Sequence, residues 1–355
     1  MNPKHYFLPA LESVLQRYVP TTRVNSSTGT ALITGYGARL IGLFPDQELP
    51  NTLWVHADID SILKDSQWLI GGERLWISPE SDYFYQDAAN AKGHRVPPAL
   101  DPGNYEPTGF LSYRNEFAIT NTRTGQTHKH CTAEREFAPL ADPYGTGLPY
   151  AGVSVRDSLH IEDAQVAMCC WSLTQVFSSG PERPGTALFP TKGFSTPVPY
   201  FRQIPKDRFD AVDGYARFKI DLADVYKFTI RPEDIDWDNP VKALYVSPYP
   251  TGDQWFCVVK RSNDVPKGQD DCVDTARDNP DGPKGAIQSW NAGLDDQKGG
   301  LTFGEIELQL NKGVAHDGAT IAAGVHELLS YAGTRTQISQ LARTLLKTSV
   351  LPRLY

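Results

Sequence analysis

The 355-residue chain lacks an excess of positive charge. Lysine and arginine together number 34 against 42 aspartates and glutamates, which gives a formal net charge of -8. Proteins that bind nucleic acid concentrate lysine and arginine on one face to neutralise phosphates. The composition therefore argues against a nucleic-acid partner and is easier to reconcile with a neutral or cationic ligand.

Long apolar runs are also missing. No stretch reaches the roughly 18 apolar residues of a membrane helix. The first ten residues, Met-Asn-Pro-Lys-His-Tyr-Phe-Leu-Pro-Ala, lack the apolar core and cleavage pattern of a secretion signal. We therefore expect no membrane partner and a soluble, cytoplasmic protein, although a periplasmic or secreted protein whose signal had been removed would show the same pattern.

Cysteine is scarce, and nothing in its spacing points to a metal. The five cysteines are odd in number and include no C-x-x-C pair, so neither a zinc site nor a disulfide framework is indicated. The acidic loop at 278–282, Asp-Asn-Pro-Asp-Gly, contains oxygen ligands without the spacing of a calcium-binding loop. We expect no metal and no cofactor.

What the sequence does contain is a series of short alternating runs separated by 29 glycines and 27 prolines. This pattern is typical of an all-β protein, and we predict one domain over residues 1–355. Apolar residues at helical spacing predict peripheral helices at about 5–19 and 336–347, with the sheets between about 30 and 333. The sequence does not indicate an oligomeric state.

The most informative stretch is 69–85, where a glycine pair precedes a short strand and an acidic, aromatic loop. Arg74 and Trp76 alternate with apolar residues and so share one strand face, and Glu80 follows just after the strand stops at Pro79. A guanidinium, an indole and a carboxylate together suit a sugar, which has many hydroxyls and one apolar face. The alternative is an Arg–Glu pair packed on a core tryptophan.

Two other polar positions interrupt apolar strands. Arg39 stands alone among apolar neighbours, so it either pairs with a buried carboxylate or lines a polar cleft. Further along, Trp171 and Gln175 fall on one face of an alternating run. The proline-rich and glycine-rich loop 88–108 is long enough to form a wall of a site.

Titratable residues occur in pairs on two later strands. Glu305 and Glu307 lie on one strand face, where mutual repulsion would raise the pKa of one of them if the face is enclosed. His128 and His130 share one parity on the return strand of a predicted hairpin. The histidine face is either a metal or proton-transfer surface or simply a solvated one.

Four pieces stand in a fixed order along the chain. They are 37–42 (Gly-Ala-Arg-Leu-Ile-Gly), 71–80 (Gly-Gly-Glu-Arg-Leu-Trp-Ile-Ser-Pro-Glu), 171–176 (Trp-Ser-Leu-Thr-Gln-Val) and 305–309 (Glu-Ile-Glu-Leu-Gln). Together they resemble the galactose mutarotase-like (aldose 1-epimerase-like) superfamily, in particular its bacterial branches. The resemblance covers the chain from about residue 30 to 333.

The resemblance implies a large antiparallel β-supersandwich whose concave face binds carbohydrate. In the superfamily's mutarotases a glutamate on a late strand acts as base toward the anomeric hydroxyl, and a central-strand histidine acts as acid toward the ring oxygen. Glu307 looks most like that glutamate. Near Trp171, where the histidine should fall, this chain has Cys169 and Cys170. This departure argues against simple mutarotation and favours a different reaction on a sugar, or binding without catalysis.

Residues and resemblance together predict a carbohydrate-active protein of epimerase, lyase or glycosidase type, an aldose epimerase-like isomerase among these. We expect Glu307 to act as general base, with Glu80 or His130 as acid. The expected sugar-binding residues are Arg39, Arg74, Trp76, His128, Trp171, Gln175 and Glu305. The alternative is a non-catalytic sugar-binding or interaction module on the same fold.

Overall fold

Strands make up most of the regular structure in the computed structural model, which describes residues 5–90, 92–163, 165–275 and 282–355. In chain order the strands are β1 Thr21–Asn25, β2 Thr30–Thr34, β3 Arg39–Phe44, β4 Glu73–Ser78, β5 Tyr85–Asp87, β6 Lys92–His94, β7 Glu106–Gly109, β8 Ser112–Thr120, β9 Thr127–Pro139, β10 Tyr150–Ile161, β11 Cys169–Phe177, β12 Gly185–Pro190, β13 Val198–Pro199, β14 Phe209–Val212, β15 Tyr215–Ile220, β16 Tyr226–Ile230, β17 Val241–Pro248, β18 Gln254–Arg261, β19 Ile287–Asn291, β20 Phe303–Lys312, β21 Val314–His316 and β22 Ala319–Thr334.

These strands form two large sheets and one small hairpin. The nine-stranded sheet has the order β1-β2-β3-β4-β11-β20-β19-β16-β13. The eleven-stranded sheet runs β14-β15-β12-β17-β18-β22-β10-β9-β8-β7, with β21 beside β22, while β5 pairs with β6. Neighbouring strands pair antiparallel, and the two large sheets share a core. The predicted all-β supersandwich is confirmed.

Helices lie on the outside of the two sheets. They are α1 Leu8–Leu15, α2 Ile59–Lys64, α3 Glu80–Tyr83, α4 Leu294–Lys298 and α5 Arg335–Leu346. The first and last occupy the regions where helical spacing predicted helices at 5–19 and 336–347. The last begins at a capping box, in which Thr334 accepts from the Gln337 backbone N–H and the Gln337 side chain accepts from that of Thr334. Within the described ranges, no helix has the length and apolarity needed to cross a bilayer.

The central strands of the nine-stranded sheet carry polar residues on both faces. On the inner face, Glu73 meets the eleven-stranded sheet, where Arg135 donates to its carboxylate over 2.7 Å and to Asp157 over 2.8 Å. Ser172 and His326 also contact Glu73, at 2.8 and 3.2 Å. Burial alone would raise the pKa of the Glu73 carboxyl, but Arg135 and His326 hold it well below its ordinary value. The inner network therefore ties the two sheets together through paired charges.

Replacing Arg135 tests this link between the sheets. Arg135→Ala leaves two carboxylates buried without their cation, and we expect it to lower the free energy of unfolding by about 3–5 kcal/mol. Arg114→Ala is the matched control, because Arg114 lies on the neighbouring strand β8 with its side chain 44% exposed. Its effect should stay within about 0.5 kcal/mol. Urea denaturation measures both, and equal effects would show that the inner network does not hold the sheets together.

Candidate functional site

The outer face of the nine-stranded sheet carries a cleft built by strand register. Trp76 on β4 lies opposite Trp171 on β11, and Leu173 lies between Arg74 and Glu307. A neighbouring row joins Glu305 on β20, Trp290 on β19 and Lys227 on β16. Residues directly opposite in antiparallel strands point to the same face of the sheet. Five strands therefore bring their polar and aromatic side chains to one surface.

The cleft has a volume of about 460 Å³. Small-molecule sites usually measure about 300–1,000 Å³ and combine apolar walls with a few polar groups. Its apolar lining consists of Trp68, Trp76, Trp171, Leu173, Phe201, Val225, Trp290, Leu301 and Phe303, and its charged or titratable lining of Arg74, Glu80, His94, Lys227, Asp296 and Glu305. The cleft thus has the size and the mixed lining of a site for a small polar molecule.

Tryptophan rings form one side of the cleft and are held in place from behind. The ring centroid of Trp76 lies 5.5 Å from those of both Trp68 and Trp171, with edge-to-face geometry. The Trp76 indole N–H donates to Asp101 over 2.7 Å, and that of Trp171 donates to Glu307 over 2.9 Å. Because both indole N–H groups have partners, the rings are oriented before any ligand enters.

Arg74 has hydrogen-bonding capacity that the described part of the chain does not use. Its side chain is only 3% exposed, its Nη2 donates to Glu305 over 2.8 Å, and its Cζ lies 4.2 Å from the Trp76 ring centroid. The Nε and Nη1 atoms are buried and have no hydrogen-bond partner among the described residues. An unsatisfied buried donor costs about 1–3 kcal/mol. A ligand with oxygen acceptors would satisfy these donors.

Arg39 does not reach the cleft, contrary to its inclusion among the sugar-binding residues. It is fully buried and forms an ion pair with Asp101. It also donates to the carbonyl oxygens of Gly71 and Trp68, over 2.9 and 2.6 Å. A buried guanidinium needs several acceptors, and those available lie behind the cleft. Arg39 therefore forms a buried ion pair and does not line a polar cleft. Its partner Asp101 also accepts the indole N–H of Trp76, so the ion pair holds this ring of the cleft in place.

A second charged cluster lies at the other side of Trp171. The Lys227 ammonium is 3.0 Å from a Glu80 carboxylate oxygen, 3.4 Å from one of Glu307, and 4.4 Å from the Trp171 ring centroid. Burial would lower the pKa of Lys227, but Glu307, Glu80 and Asp274 raise it above its ordinary value. Lys227 therefore keeps its positive charge at neutral pH.

Glu307 is set apart from the other cleft carboxylates by complete burial. Its side chain has no exposed surface, and its Oε1 has no hydrogen-bond partner among the described residues. Burial raises the pKa of this carboxyl to about 7, with further upward effects from Glu305, Glu80 and Asp274 against a lowering by Lys227. Glu307 thus gains and loses a proton near neutral pH, behind Trp171 and Lys227 rather than in the lining of the cleft.

The histidine pair is not brought to the cleft. His128 and His130 lie on β9 in the eleven-stranded sheet, and the prediction that they share a face is wrong. Phe117 of β8 pairs with Cys131 of β9, and Ile119 pairs with His128, so β9 has one extra residue between these two pairs. This bulge interrupts the alternation of β9 between His128 and Cys131. His128 is buried with its Nδ1 3.4 Å from Asp163, whereas His130 is exposed and lines a separate surface groove.

The remaining expected site residues divide between the cleft and its surroundings. Arg74, Trp76, Glu80, Trp171 and Glu305 line the cleft. Gln175 lies opposite Glu305 on the same face but is fully buried, and its side-chain amide has no hydrogen-bond partner among the described residues. Gln175 therefore belongs to the buried surroundings of the cleft.

Several lining residues escaped the sequence analysis. Lys227 was not predicted as a site residue. The feature that could have indicated it is a single lysine within the mostly apolar strand β16, which parallels the single arginine Arg39 among apolar neighbours. His94 belongs to the loop expected to form a wall, and its Nε2 lies 3.7 Å from Glu80. Trp68 and Trp290 had no sequence feature that separated them from core tryptophans.

One group of side chains has metal-ligand geometry. Ligand atoms of Glu73, Asp157 and His326 lie within 4.8 Å of one another. Arg135 already bonds both carboxylates, however, and its positive charge would repel a cation. These residues fit an ion-pair network better than a metal site. The acidic loop at 278–282 was expected to hold no metal. Its residues 278–281 lie outside the part of the chain that the structure describes.

No protein-family profile and no curated protein matches the sequence. Solved structures similar to the chain include a galactose mutarotase-like protein from Lactobacillus casei (10% identity over 88% of this chain and 100% of that one, TM-score 0.44). Another is a putative mutarotase from Salmonella typhimurium (11% identity over 90% of this chain and 92% of that one, TM-score 0.45). A third is a putative aldose 1-epimerase from Escherichia coli K12 (8% identity over 89% of this chain and 99% of that one, TM-score 0.46). At these identities and TM-scores the likeness carries no argument about the family, ligand or activity of this chain.

The raised pKa of Glu307 predicts a pH-dependent stability. Its pKa is about 7 in the folded protein against an ordinary value of 4.5, so the folded state holds the proton more tightly than the unfolded state does. The resulting stability is present below about pH 4.5 and is lost as the pH rises through 7. We expect the unfolding free energy of Glu307→Gln, minus that of the wild type, to increase by on the order of 2–3 kcal/mol between pH 5 and 8.

Urea denaturation across this pH range measures the difference. Glu116→Gln is the control for the loss of a glutamate carboxylate, because Glu116 is exposed on β8. A constant difference for Glu307→Gln would show that Glu307 does not titrate near neutrality.

Proposed function

We propose that the protein binds a saccharide in the outer cleft and acts on it by carboxylate acid/base chemistry. The observation that carries this proposal is the combination of four cleft-lining tryptophans with Arg74, two of whose buried nitrogens have no hydrogen-bond partner among the residues that the structure describes. An apolar ligand would leave these donors unsatisfied, and a wholly polar one would gain little from the rings. A sugar presents both an apolar C–H face and many hydroxyl oxygens.

The charges of the cleft support a sugar without a net negative charge. Arg74 is paired with Glu305, and Lys227 with Glu80, so each of these two cations already has a carboxylate beside it. Hydroxyl groups both donate and accept, which matches an arginine N–H beside a carboxylate oxygen. An acidic sugar would meet repulsion from Glu80, Glu305 and Asp296, which all line the cleft.

Acid/base chemistry is supported by carboxyl groups in different environments. Glu307 is fully buried with a pKa raised to about 7, whereas Glu80 lines the cleft beside a lysine. Groups whose environments push their pKa values apart can divide the roles of acid and base. Epimerase, lyase and glycosidase reactions all use such a pair.

A second candidate function is sugar binding without catalysis. It is favoured by the complete burial of Glu307, the residue expected to be the base, and by Cys169 and Cys170 in place of the central histidine. Such a protein would need the tryptophans and Arg74 yet would tolerate Glu307→Gln with unchanged ligand affinity.

Tryptophan truncation tests the binding proposal. Trp290 and Trp255 are both partly buried, but Trp290 lines the cleft while Trp255 packs beside α5 on the outside of the other sheet. We expect Trp290→Ala to weaken sugar binding at least tenfold, about 1.4 kcal/mol, because a stacking surface is lost. Trp255→Ala should keep the wild-type affinity.

The ligand is found first by thermal shift with a panel of neutral hexoses, pentoses and disaccharides, with uronic acids and amino sugars for comparison. Calorimetry then gives the affinities of the two variants. If no sugar shifts the melting temperature of the wild type, or if both tryptophan variants bind equally well, the cleft is not a sugar site.

The catalytic part is tested by incubating the wild type with the same panel and following anomer exchange, epimer formation and new reducing ends by NMR. Accelerated conversion of any sugar supports an enzyme. Tight binding with no conversion supports the second candidate.

A further inference from the structure

We propose that the cleft takes a disaccharide, with one sugar ring stacked on Trp68 and the other on Trp290. The disaccharide assignment rests on the proposed function, and it deepens that function by naming the kind of saccharide. The cleft contains two separate aromatic patches, each with its own cation, and a single sugar ring occupies only one of them.

The four cleft tryptophans differ in how much ring surface a ligand can reach. Trp76 and Trp171 are 3% and 1% exposed, and the Lys227 ammonium lies over the Trp171 ring, 4.4 Å from its centroid. Trp68 and Trp290 are partly exposed and line the cleft. A sugar that stacks on an indole in this cleft therefore meets Trp68 or Trp290, while the two buried rings support the wall behind it.

The two accessible tryptophans belong to different parts of the sheet. Trp68 precedes β4, and its ring contacts that strand at Trp76, with 5.5 Å between the ring centroids. Trp290 is on β19, and β11 and β20 lie between β4 and β19. Neighbouring strands are about 4.8 Å apart, so three intervals place the backbones of β4 and β19 about 14 Å from each other. A pyranose ring is little wider than one interval, so a ring stacked at Trp68 leaves Trp290 to a second ring.

The volume of the cleft also exceeds the need of one sugar ring. A water molecule's share of the liquid is about 30 Å³, so the cleft volume of about 460 Å³ equals that of about 15 waters. A hexose has fewer non-hydrogen atoms than this, and covalent bonds hold them closer together than the molecules of liquid water. One hexose therefore leaves part of the cleft to solvent, and a disaccharide fills more of it.

Each aromatic patch has its own cation. The Cζ atom of Arg74 lies 5.3 Å from the Trp68 ring centroid, and its Nη1 has no hydrogen-bond partner among the residues that the structure describes. Lys227 lies directly opposite Trp290 in the pairing of β16 with β19, and it also lines the cleft. A cation beside an indole donates N–H groups to hydroxyl oxygens at the edge of a stacked sugar ring. The same combination of tryptophan and cation thus occurs twice, which suits two sugar units.

Leu173 and Glu305 lie between the two patches. They are on β11 and β20, the two strands between β4 and β19, and both line the cleft. Glu305 accepts from Arg74 over 2.8 Å and lies opposite Trp290, so it adjoins both patches. A carboxylate accepts hydrogen bonds from hydroxyl groups, and a leucine packs against C–H groups. We therefore place the glycosidic linkage over Leu173, with hydroxyl groups of both rings in reach of Glu305.

Calorimetry with matched sugars tests whether the second ring is bound. The probes are glucose, galactose, mannose and xylose, their methyl glycosides, and the disaccharides maltose, cellobiose, lactose, mannobiose and xylobiose. We expect the best disaccharide to bind at least tenfold more tightly than either of its units, because the second ring gains its own stacking surface. The methyl glycosides add no ring and should bind within about threefold of the free sugars. A monosaccharide or methyl glycoside that binds as tightly as the best disaccharide would overturn the proposal.

Saturation-transfer NMR with the tightest disaccharide assigns each ring to its tryptophan. Trp68→Ala should reduce the transfer to one sugar unit and Trp290→Ala the transfer to the other, with an affinity loss of at least tenfold for each. Trp68→Phe and Trp290→Phe keep an aromatic surface and should recover most of the affinity, which separates lost stacking from misfolding. Trp255→Ala, outside the cleft, is the control. Loss of transfer to the same unit in both alanine variants would place both tryptophans around one ring and contradict the two-ring arrangement.

The outcomes distinguish the disaccharide assignment from the proposed function. A wild type that binds none of these sugars removes the proposed function, and the disaccharide assignment falls with it. A wild type that binds a monosaccharide as tightly as any disaccharide keeps a saccharide site in the cleft and overturns only the disaccharide assignment.

Discussion

The structure depends on one constraint, the antiparallel register of β4, β11 and β20. Because strands are pleated, their polar side chains point to both faces of the nine-stranded sheet. Most side chains of these strands are buried, so a charge placed there needs a partner within the protein or a ligand. The two faces meet this requirement differently, and the difference separates the part of the molecule that holds the fold from the part suited to binding.

On the inner face the charges of Glu73, Asp157 and Arg135 are paired with one another, although His326 Nδ1 in the same network has no hydrogen-bond partner among the described residues. Each carboxylate oxygen of Glu73 and Asp157, and each guanidinium nitrogen of Arg135, has a hydrogen-bond partner. On the outer face the pairing is incomplete, since two nitrogens of Arg74 and one oxygen of Glu307 have none within the part of the chain that the structure describes. Ion pairs whose atoms are bonded to one another rigidify a core, whereas donors and acceptors without partners beside a cleft can be satisfied by a ligand.

The outer face is also layered. Arg39 and Asp101 lie behind Trp76 on one side, and Glu307 lies behind Trp171 and Lys227 on the other. Both tryptophans are therefore held through their indole N–H groups by carboxylates that do not line the cleft with them. A rigid aromatic surface with charged groups at its margin costs little conformational entropy to organise when a ligand binds.

The sequence by itself determined the strand class and the face on which many side chains lie, because the period of two is a local property of the backbone. The alternation in β4 and β20 correctly placed Arg74 with Trp76, and Glu305 with Glu307. It failed at His128 and His130, where a register shift between paired strands interrupts the period. Only the tertiary structure decided which strands are neighbours, and hence that Lys227 lies against Glu80, 147 positions away along the chain. Burial was likewise beyond the sequence: the same alternation describes Glu305, which lines the cleft, and Glu307, which is sealed beneath it, because exposure depends on the distant side chains that cover each position.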